Sequence, residues 1–549
     1  MAEAKPVNIM YQNLISDIDS GRVKIPQFQR EYVWSKEDAA KLIDSVLRGY
    51  PIGTFILWKT RDTLRSIRDI GGLKLKDAPE GDSVYYVLDG QQRITSLYAG
   101  IKGVSIKREN FKNKKVNIIE DFSQIYINLT AEENDEQIVV TNIDMLNEMQ
   151  YISLKELLDA NFTQIFRKFT HDELINQIET YRTKIQNYQF SVVELTNAPI
   201  EVATEVFTRL NTGGKTLTVF EIMSAKMYDE ENSFDLAEKH DEFLADLETN
   251  RFGAISNTVV LQLISLILNK DCAKKSILST NKVDFIEIWD KTIDATKSTI
   301  DYFRTFYRIP VSGLLPYDSL LVPFAYFFYF NNSKKPDDFQ RKWLQDYFWR
   351  CCLTSRFSSG VESKMAQDIK KIESILSKEE PEQLGGIDVS LSSLEQNGRF
   401  TVGRAYIKAL ICILSYHEPK SFDDGAKVIL DNDHLKMSTS KNYHHFFPRA
   451  YLSKKKIDED RINHIANITL VDDFLNKQKI RDKAPSVYMK EYVAGNENIV
   501  KTMRSHLIDD LDTWGIWTDE YDMFFNKRLA AIQKELKERL IINQYDRVE

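Results

Sequence analysis

A chain of 549 residues is too long for one ordinary hydrophobic core, so about two to four domains are expected. The formal net charge of −8 excludes a protein coated all over with nucleic acid, although a local basic groove would still be enough to hold phosphates. The four cysteines have no paired spacing, which argues against a zinc ribbon or a disulfide framework. The N-terminus lacks the apolar stretch of a signal peptide, and the longest apolar run, Leu320–Phe330, is about half the length of a membrane span. We therefore expect a soluble cytoplasmic protein that does not enter a membrane.

Residues 1–230 are predicted to form a mixed α/β domain. Short strands rich in β-branched and aromatic residues alternate there with amphipathic helices. The predicted strands are Thr54–Trp58, Tyr85–Leu88, Ile125–Leu129 and Phe190–Leu195, and the clearest helix is Lys36–Arg48. Ser35 is the predicted N-cap of that helix, because Asp38 follows at the distance of a capping box.

A polar motif follows the second of these strands, at residues 85–97 (YYVLDGQQRITSL). It predicts a strand, a sharp glycine turn and then a helix whose first turn carries Gln91, Gln92 and Arg93. Exposed N–H groups at such a turn, together with an arginine, suit an anion such as a nucleotide phosphate. Asp89 at the end of the strand could hold Mg²⁺ or orient a water molecule.

A second polar motif lies just ahead of the first helix, at residues 25–34 (IPQFQREYVW). It places Gln29 and Arg30 among aromatic side chains. A buried ion pair that joins the two motifs is the alternative role for Arg30 and Arg93, and it need not exclude nucleotide binding.

Paired glycines, Gly213 and Gly214, mark a third stretch at residues 207–215 (FTRLNTGGK). They could form a backbone nest for phosphate, or simply a helix C-cap and turn. With the LTxxEI pattern at Leu217–Ile222, the three stretches closely resemble the ParB-like N-terminal domain of the GmrSD family, over about residues 10–230. The resemblance implies an NTP site for GTP, ATP or CTP with Mg²⁺, at Asp89, Gln91, Gln92, Arg93, Arg30 and Gln29.

Residues 231–425 are predicted to form a helical linker domain. Its candidate helices are Thr258–Leu268, Val283–Tyr307, Asp337–Phe357 and Ser363–Leu376. The aromatic run within Leu314–Phe330 is expected to be core, although a stacking platform for a flipped base is an alternative.

Histidines concentrate in the last part of the chain, residues 426–549. Six of the eight lie between His417 and His506, and two are adjacent in the segment KNYHHFFP, as His444 and His445. Adjacent residues on a strand point to opposite sides, so the two rings are expected to have separate roles. Phosphodiester cleavage needs a hard cation on the scissile phosphate and a base for the attacking water.

This segment resembles the HNH, or ββα-metal, nuclease family in its His-His-x-x-Pro variant. The resemblance assigns His445 as general base, His444 as metal ligand, Asn467 as the asparagine that tethers the loop, and Asn476 as the second ligand of Mg²⁺ or Mn²⁺. Lys477, Lys479 and Arg481 would hold DNA phosphates, although such charge runs are usually solvated helix faces. For the histidine pair alone, hydrogen bonding within a core is the competing interpretation.

The sequence thus predicts an α+β multidomain protein: a ParB-like nucleotide-binding domain, a helical linker domain, and an HNH nuclease domain with C-terminal helices. The sequence resembles GmrSD-type enzymes and also SspE-like proteins. This resemblance implies an NTP-dependent, metal-dependent DNA endonuclease of antiphage defence. Such an enzyme is type IV restriction-like and cuts modified phage DNA. A homodimer is a further expectation. The alternatives are a nucleotide-binding regulator with an inactive nuclease module, or an HNH toxin acting on host nucleic acid.

Overall fold

The chain folds into two compact units, Met1–Leu236 and Ala237–Glu549. The computed structural model describes residues 2–26, 29, 32–61, 66–67, 76, 78, 81–109, 117–131, 137–144, 146–210, 218–229, 232–249, 251–430, 432, 443–471, 480 and 482–549. The boundary between the units lies close to the one predicted at residue 230. The boundary predicted near residue 425 lies inside the second unit, whose helices pack across it.

A six-stranded mixed sheet forms the centre of the first unit, in the order β1-β11-β3-β5-β2-β4. Two smaller sheets, β10-β8-β9 and β6-β7, lie in the same unit. The strands are β1 Glu3–Met10, β2 Val23–Pro26, β3 Phe55–Thr60, β4 Ser66–Ile67, β5 Val84–Asp89, β6 Ser105–Glu109, β7 Asn117–Asp121, β8 Tyr126–Asn128, β9 Val139–Val140, β10 Tyr151–Ser153 and β11 Gln189–Thr196.

The first unit also contains helices, whose buried apolar side chains contribute to its hydrophobic interior. These helices are α1 Tyr11–Asp19, α2 Lys36–Leu47, α3 Gln91–Lys102, α4 Leu154–Asp159, α5 Phe162–Lys168, α6 Asp172–Gln186, α7 Ile200–Leu210 and α8 Val219–Met227. The predicted capping box is present, because Ser35 and Asp38 cap α2 reciprocally. The four strands and the helix predicted from the sequence are all present, with ends shifted by one or two residues.

The second unit is mainly helical. Its first helices are α9 Leu236–Thr249, α10 Thr258–Asn269, α11 Lys274–Ser279, α12 Lys282–Thr305, α13 Leu321–Phe330, α14 Asp338–Leu353, α15 Val361–Leu376, α16 Leu391–Asn397 and α17 Ala405–Tyr416. The aromatic run is core, as predicted: every residue of α13 except Phe330 is buried. The neighbouring rings of Tyr307 and Phe348 stack with centroids 4.2 Å apart.

The C-terminal part of this unit carries a two-stranded antiparallel sheet, β12 Tyr443–His445 with β13 Ile468–Leu470. The surrounding helices are α18 Arg449–Lys454, α19 Glu459–Ile462, α20 Pro485–Gly495, α21 Ile499–Arg504 and α22 Tyr521–Glu538. The segment predicted to carry Asn476 after β13 lies outside the described residues. In the described part of the chain, no helix is long and apolar enough to cross a membrane.

Candidate functional site

The two adjacent histidines lie on β12 and project to opposite sides of the strand pair. His444 pairs with Thr469 across the sheet and is 2% exposed, whereas His445 pairs with Ile468 and is only partly buried. This division follows from the alternation of side chains along a strand. A solute can therefore approach His445 more readily than His444.

His445 is held by one asparagine that the sequence had not singled out. Its Nε2 lies 3.1 Å from Oδ1 of Asn463, and Nδ2 of the same amide donates to the carbonyl oxygen of Phe400 at 3.2 Å. The second contact fixes which end of the amide is the acceptor, so Nε2 of His445 carries the hydrogen. The lone pair is then on Nδ1, which has no hydrogen-bond partner among the described residues.

The protonation state of His445 suits a general base. Burial lowers its pKa, and the hydrogen bond to Asn463 raises it in part. The net shift is downward, so the ring is neutral near pH 7 and can accept a proton. An ion pair between Arg449 and Glu459 lies beside the ring and affects this pKa in both directions, the arginine lowering it and the carboxylate raising it.

His444 is enclosed by aromatic rings. Phe422 and Tyr488 meet it edge-on, with centroids 6.1 and 6.5 Å away, and burial lowers its pKa to about 3. Thr469 Oγ1 lies 3.2 Å from Nδ1 and 3.4 Å from the His444 carbonyl oxygen, to which its hydroxyl donates. With the hydroxyl proton used in that way, Nδ1 of His444 donates to Thr469 and Nε2 is left with a lone pair. A neutral ring with this tautomer has the donor chemistry of a metal ligand, although its burial limits access.

Asn467 ties the turn after β12 to the chain before β13. It is fully buried, its Oδ1 accepts from the backbone N–H of Phe447 at 2.9 Å, and its Nδ2 donates to the carbonyl oxygens of Phe447 and Ile462, both at 3.0 Å. These three bonds use an amide to satisfy buried backbone groups that have no strand partner. This is the geometry expected of an asparagine that tethers a loop.

A Pro-x-x-Tyr segment, Pro485–Tyr488, closes the other side of the turn. Pro485 begins α20, and the hydroxyl of Tyr488 donates to the carbonyl oxygen of Phe446 at 2.5 Å. Tyr488 is fully buried, so the turn that contains Phe446 is held from both sides. Proline at the first helical position suits this start, because its missing N–H would be unsatisfied there anyway.

Four of the predicted C-terminal site residues lie outside the described residues: Asn476, Lys477, Lys479 and Arg481. In the described part of the chain, no group of three or more His, Cys, Asp or Glu side chains gathers as a metal site would require. The implied Mg²⁺ or Mn²⁺ would therefore depend on His444 together with Asn476.

The structure also identifies roles that the sequence did not reveal. His464 caps the short 3₁₀ helix before β13 by accepting from Ala466 N–H, and its Nε2 donates to the carbonyl oxygens of Leu394 and Glu395. Burial lowers its pKa to about 4, so it is a neutral structural group.

The two polar motifs of the first unit pack against each other. Gln29 donates from Nε2 to the carbonyl oxygens of Val87 and Leu88 on β5, at 2.8 and 3.1 Å. Three residues on, Tyr32 and Ser96 share a hydrogen bond of 2.7 Å between their hydroxyls. These contacts hold Gln29 and Tyr32, from the motif at residues 25–34, against β5 and α3 of the motif at residues 85–97.

The paired glutamines lie in the first turn of α3. Gln91 and Gln92 are both buried, and Oε1 of Gln92 accepts from the backbone N–H of Val33 at 3.0 Å. Gly90 precedes them in the left-handed conformation, with φ of 96°. A Cβ there would lie 2.4 Å from the ring of Phe55, so the turn requires glycine. The predicted strand, glycine turn and helix are therefore present.

Arg93 uses its guanidinium to bind the protein itself. It donates to the carbonyl oxygens of Ile52 and Thr54, at 2.8 and 3.1 Å, and pairs with Asp89 at 2.9 Å. Its side chain is 19% exposed, whereas that of Asp89 is 41% exposed. The ion pair thus forms within the motif at residues 85–97. Arg30, the other member of the pair considered from the sequence, lies outside the described residues.

An α/β unit with these interlocked motifs, followed by a mainly helical unit with a histidine-bearing strand pair, defines a multidomain α+β protein. Residues 11–228 match the family model of the GmrSD restriction endonuclease N-terminal domain. This match confirms the GmrSD-type N-terminal domain that the motifs of residues 10–230 predict. The match does not reach the C-terminal histidines.

One curated relative is similar over nearly the whole chain. The uncharacterized protein MJ0686 of Methanocaldococcus jannaschii is 24% identical over 97% of this chain and 97% of its own length. Both units therefore have a counterpart in that protein.

Proposed function

We propose that this protein is an NTP-dependent, metal-dependent DNA endonuclease that cuts modified phage DNA. The match of residues 11–228 to the N-terminal domain of GmrSD restriction endonucleases supports a restriction endonuclease. The observation that carries the chemistry is the contact between His445 and Asn463, which presents a neutral imidazole with its lone pair on Nδ1.

In the proposed reaction, His445 accepts a proton at Nδ1 from the water that attacks the scissile phosphorus. Its Nε2–H remains on Asn463 throughout, so the ring keeps its orientation as it becomes charged. Asn467 holds the turn that follows β12, and Tyr488 supports that turn from the other side. The 3′ oxygen leaves with a proton from solvent, which gives 5′-phosphate and 3′-hydroxyl ends.

In this proposal a divalent metal would be held by His444 and Asn476. The ion, when bound, would neutralise charge on the phosphate and on the leaving oxygen. His444 contributes a neutral ring whose tautomer Thr469 determines. Lys477, Lys479 and Arg481 would contact the phosphates of the DNA backbone.

The first unit is proposed to bind the NTP with Mg²⁺. Gln91, Gln92 and Asp89 lie at the start of α3, where N–H groups and the helix dipole favour a phosphate. Arg93 stabilises this turn through its hydrogen bonds to the carbonyl oxygens of Ile52 and Thr54. Its proposed part in nucleotide binding is therefore to shape the site.

A regulator with an inactive nuclease module is the second candidate. The observation that favours it is the enclosure of His444, which is 2% exposed and surrounded by aromatic rings. Under this alternative the strand pair would be a structural core, and NTP binding alone would carry the function.

A cleavage panel with the full chain separates the two candidates. Unmodified, glucosylated-hydroxymethylcytosine and phosphorothioate plasmids, with host RNA as a fourth substrate, are each incubated with Mg²⁺ or Mn²⁺ and one NTP. We expect cutting of one modified DNA, abolished by His445→Ala while NTP hydrolysis continues. Retained cutting in His445→Ala overturns the assignment of the base. NTP hydrolysis without any cutting favours the regulator, and cutting of RNA in preference to DNA favours a toxin.

A further inference from the structure

An exposed ion pair lies beside His445 and has no role in the proposed reaction. Arg449 is the first residue of α18 and Glu459 is the first residue of α19, and their side chains form a salt bridge. These side chains are 62% and 50% exposed, respectively. In the described part of the chain, neither side chain has a second ion-pair partner. We call this contact the Arg449–Glu459 pair.

Both members of the pair belong to the segments that position His445. Arg449 follows the turn after β12, which two buried side chains hold from both sides. Glu459 lies one helical turn before Asn463, since its carbonyl oxygen accepts from the backbone N–H of Asn463 at 2.9 Å. The side chain of Asn463 in turn contacts Nε2 of His445 at 3.1 Å. The backbone of each member is therefore fixed relative to the candidate base.

The two charges are close enough to His445 to act on its ring. Arg449 lowers the pKa of His445, and Glu459 raises it. In the proposed reaction one water separates His445 from the scissile phosphate, so the phosphate lies about 6 Å from the ring. An exposed arginine beside the ring can reach such a phosphate by a change of rotamer.

A phosphate can replace Glu459 as the partner of this guanidinium. An ion pair between two exposed side chains contributes little net free energy, because water competes for both charges and both side chains lose entropy. A phosphodiester group accepts bidentate bonds from the planar guanidinium as a carboxylate does. The release of counterions from DNA adds to its affinity. Glu459 is therefore an internal competitor for the same cation.

We propose that Arg449 binds a phosphate of the DNA strand to be cut, and that Glu459 pairs with its guanidinium until the DNA binds. The assignment to DNA rests on the proposed function. The two states differ in the partner of Arg449, and the exchange requires no movement of α18 or α19. A phosphate bound in this way lies beside His445, where the attacking water is activated.

The test measures DNA binding by the full chain, without cutting. A fluorescein-labelled DNA duplex is titrated in EDTA at several salt concentrations, and its fluorescence anisotropy gives the dissociation constant. The variants Arg449→Gln and Glu459→Gln are compared with the control variants Arg504→Gln and Asp509→Asn. The control pair is matched, because Arg504 is also 62% exposed and pairs with Asp509 in the same unit, at 2.9 Å.

The two substitutions in the Arg449–Glu459 pair should shift the dissociation constant in opposite directions. Arg449→Gln should weaken binding about tenfold and reduce the salt dependence of log K by about one. Glu459→Gln should tighten binding about threefold, because the internal competitor is gone. Arg449→Lys keeps the charge without the planar fork, so it should recover part of the lost affinity. Each control substitution should change the affinity by less than about twofold.

A pair that only ties α18 to α19 would give a different pattern. Both substitutions would then remove the same contact and change binding in the same direction, which would overturn the proposal. Equal effects of Arg449→Gln and Arg504→Gln would overturn it as well. A chain that cuts DNA without the opposite shifts loses only this role of Arg449, whereas opposite shifts in a chain that never cuts overturn only the proposed function. A chain that binds no duplex overturns both.

Discussion

Oδ1 of Asn463 lies 3.1 Å from Nε2 of His445, and this single contact decides which ring nitrogen can act as a base. The amide cannot reverse its role without losing its bond to the carbonyl oxygen of Phe400. Histidine needs such a partner, because a free imidazole exchanges between two tautomers. Asn463 is therefore a positioning residue in the proposed reaction.

Two substitutions at Asn463 should move the pH profile of cutting in opposite directions. Asn463→Asp places a carboxylate beside Nε2 and raises the pKa of His445, so the acid limb of kcat/KM should move to higher pH by about one unit. Asn463→Leu removes the bond that raises this pKa, so the limb should move to lower pH while the plateau falls about 10- to 100-fold. The measurement is the cutting rate of one modified substrate between pH 5 and pH 9.

A purely structural asparagine would behave differently. Both variants would then lower the plateau, and the acid limb would stay at the wild-type pH. That outcome would remove Asn463 from the proposed mechanism, and the orientation of His445 would then need another explanation.

Local signals made the first unit predictable from its sequence. The capping box at Ser35 and the glycine turn at Gly90 each depend on residues within a few positions, and both are present. The strands of this unit are short runs rich in β-branched and aromatic residues. This pattern identified β3, β5, β8 and β11.

Long-range contacts were not predictable in the same way. Asn463 is 18 residues from His445 along the chain, and Phe400 is 63 residues from Asn463. The periodicity of the sequence cannot predict these contacts, because they depend on how β12 and β13 pair. The change in composition near residue 425 likewise predicted a boundary, whereas α17 packs against both β13 and α22 within one unit.

Displacing Arg93 without altering any charge should impair the nucleotide site. A Cβ at Gly53 would lie 2.3 Å from Nη1 of Arg93, so Gly53→Ala should disrupt the bonds to Ile52 and Thr54. We expect about 2–3 kcal/mol of destabilisation and a loss of NTP turnover. Gly49→Ala is the control: Gly49 also has positive φ, but nothing lies within 4 Å of its added Cβ.

The control should cost about 1 kcal/mol through backbone strain alone and leave NTP turnover intact. Equal turnover in the two alanine variants would show that the position of Arg93 does not matter to the nucleotide site. Urea unfolding and phosphate release, measured on the same preparations, provide both values.

Acid should destabilise the second unit through its buried histidines. Burial lowers the pKa of His444 and His506 to about 3, and that of His464 to about 4. The unfolded chain binds a proton at each near pH 6.5, so stability is full above that pH and is lost as the pH falls toward these folded values. We expect a loss of roughly 1 kcal/mol for each histidine at pH 5.5.

The slope of stability against pH is the diagnostic quantity. His506→Gln should reduce this slope, because one of the buried histidines that bind a proton on unfolding is gone. The slope that remains comes from His444 and His464, with smaller contributions from His445 and His240, whose pKa values burial also lowers. His171→Gln, at an exposed position in the first unit, should leave the slope unchanged. A stability that is flat between pH 6.5 and pH 5.5 would contradict the neutral, buried state of these rings.

The C-terminal tail should contribute strongly to the stability of the second unit through one buried arginine. Arg350 on α14 is fully buried, pairs with Asp346 at 2.9 Å and Asp546 at 2.7 Å, and donates to the carbonyl oxygen of Ile541 at 2.8 Å. Asp546→Ala removes one of the two carboxylates that compensate Arg350 and leaves the backbone N–H groups of Ile387 and Asn543 without their acceptor, so it should cost about 3–5 kcal/mol. On the same helix, Asp338 pairs with Arg341, and the side chain of Asp338 is 93% exposed. Asp338→Ala should therefore cost at most about 1 kcal/mol. Guanidinium unfolding of the two variants gives the comparison, and equal midpoints would mean that the tail is not fixed by this arginine.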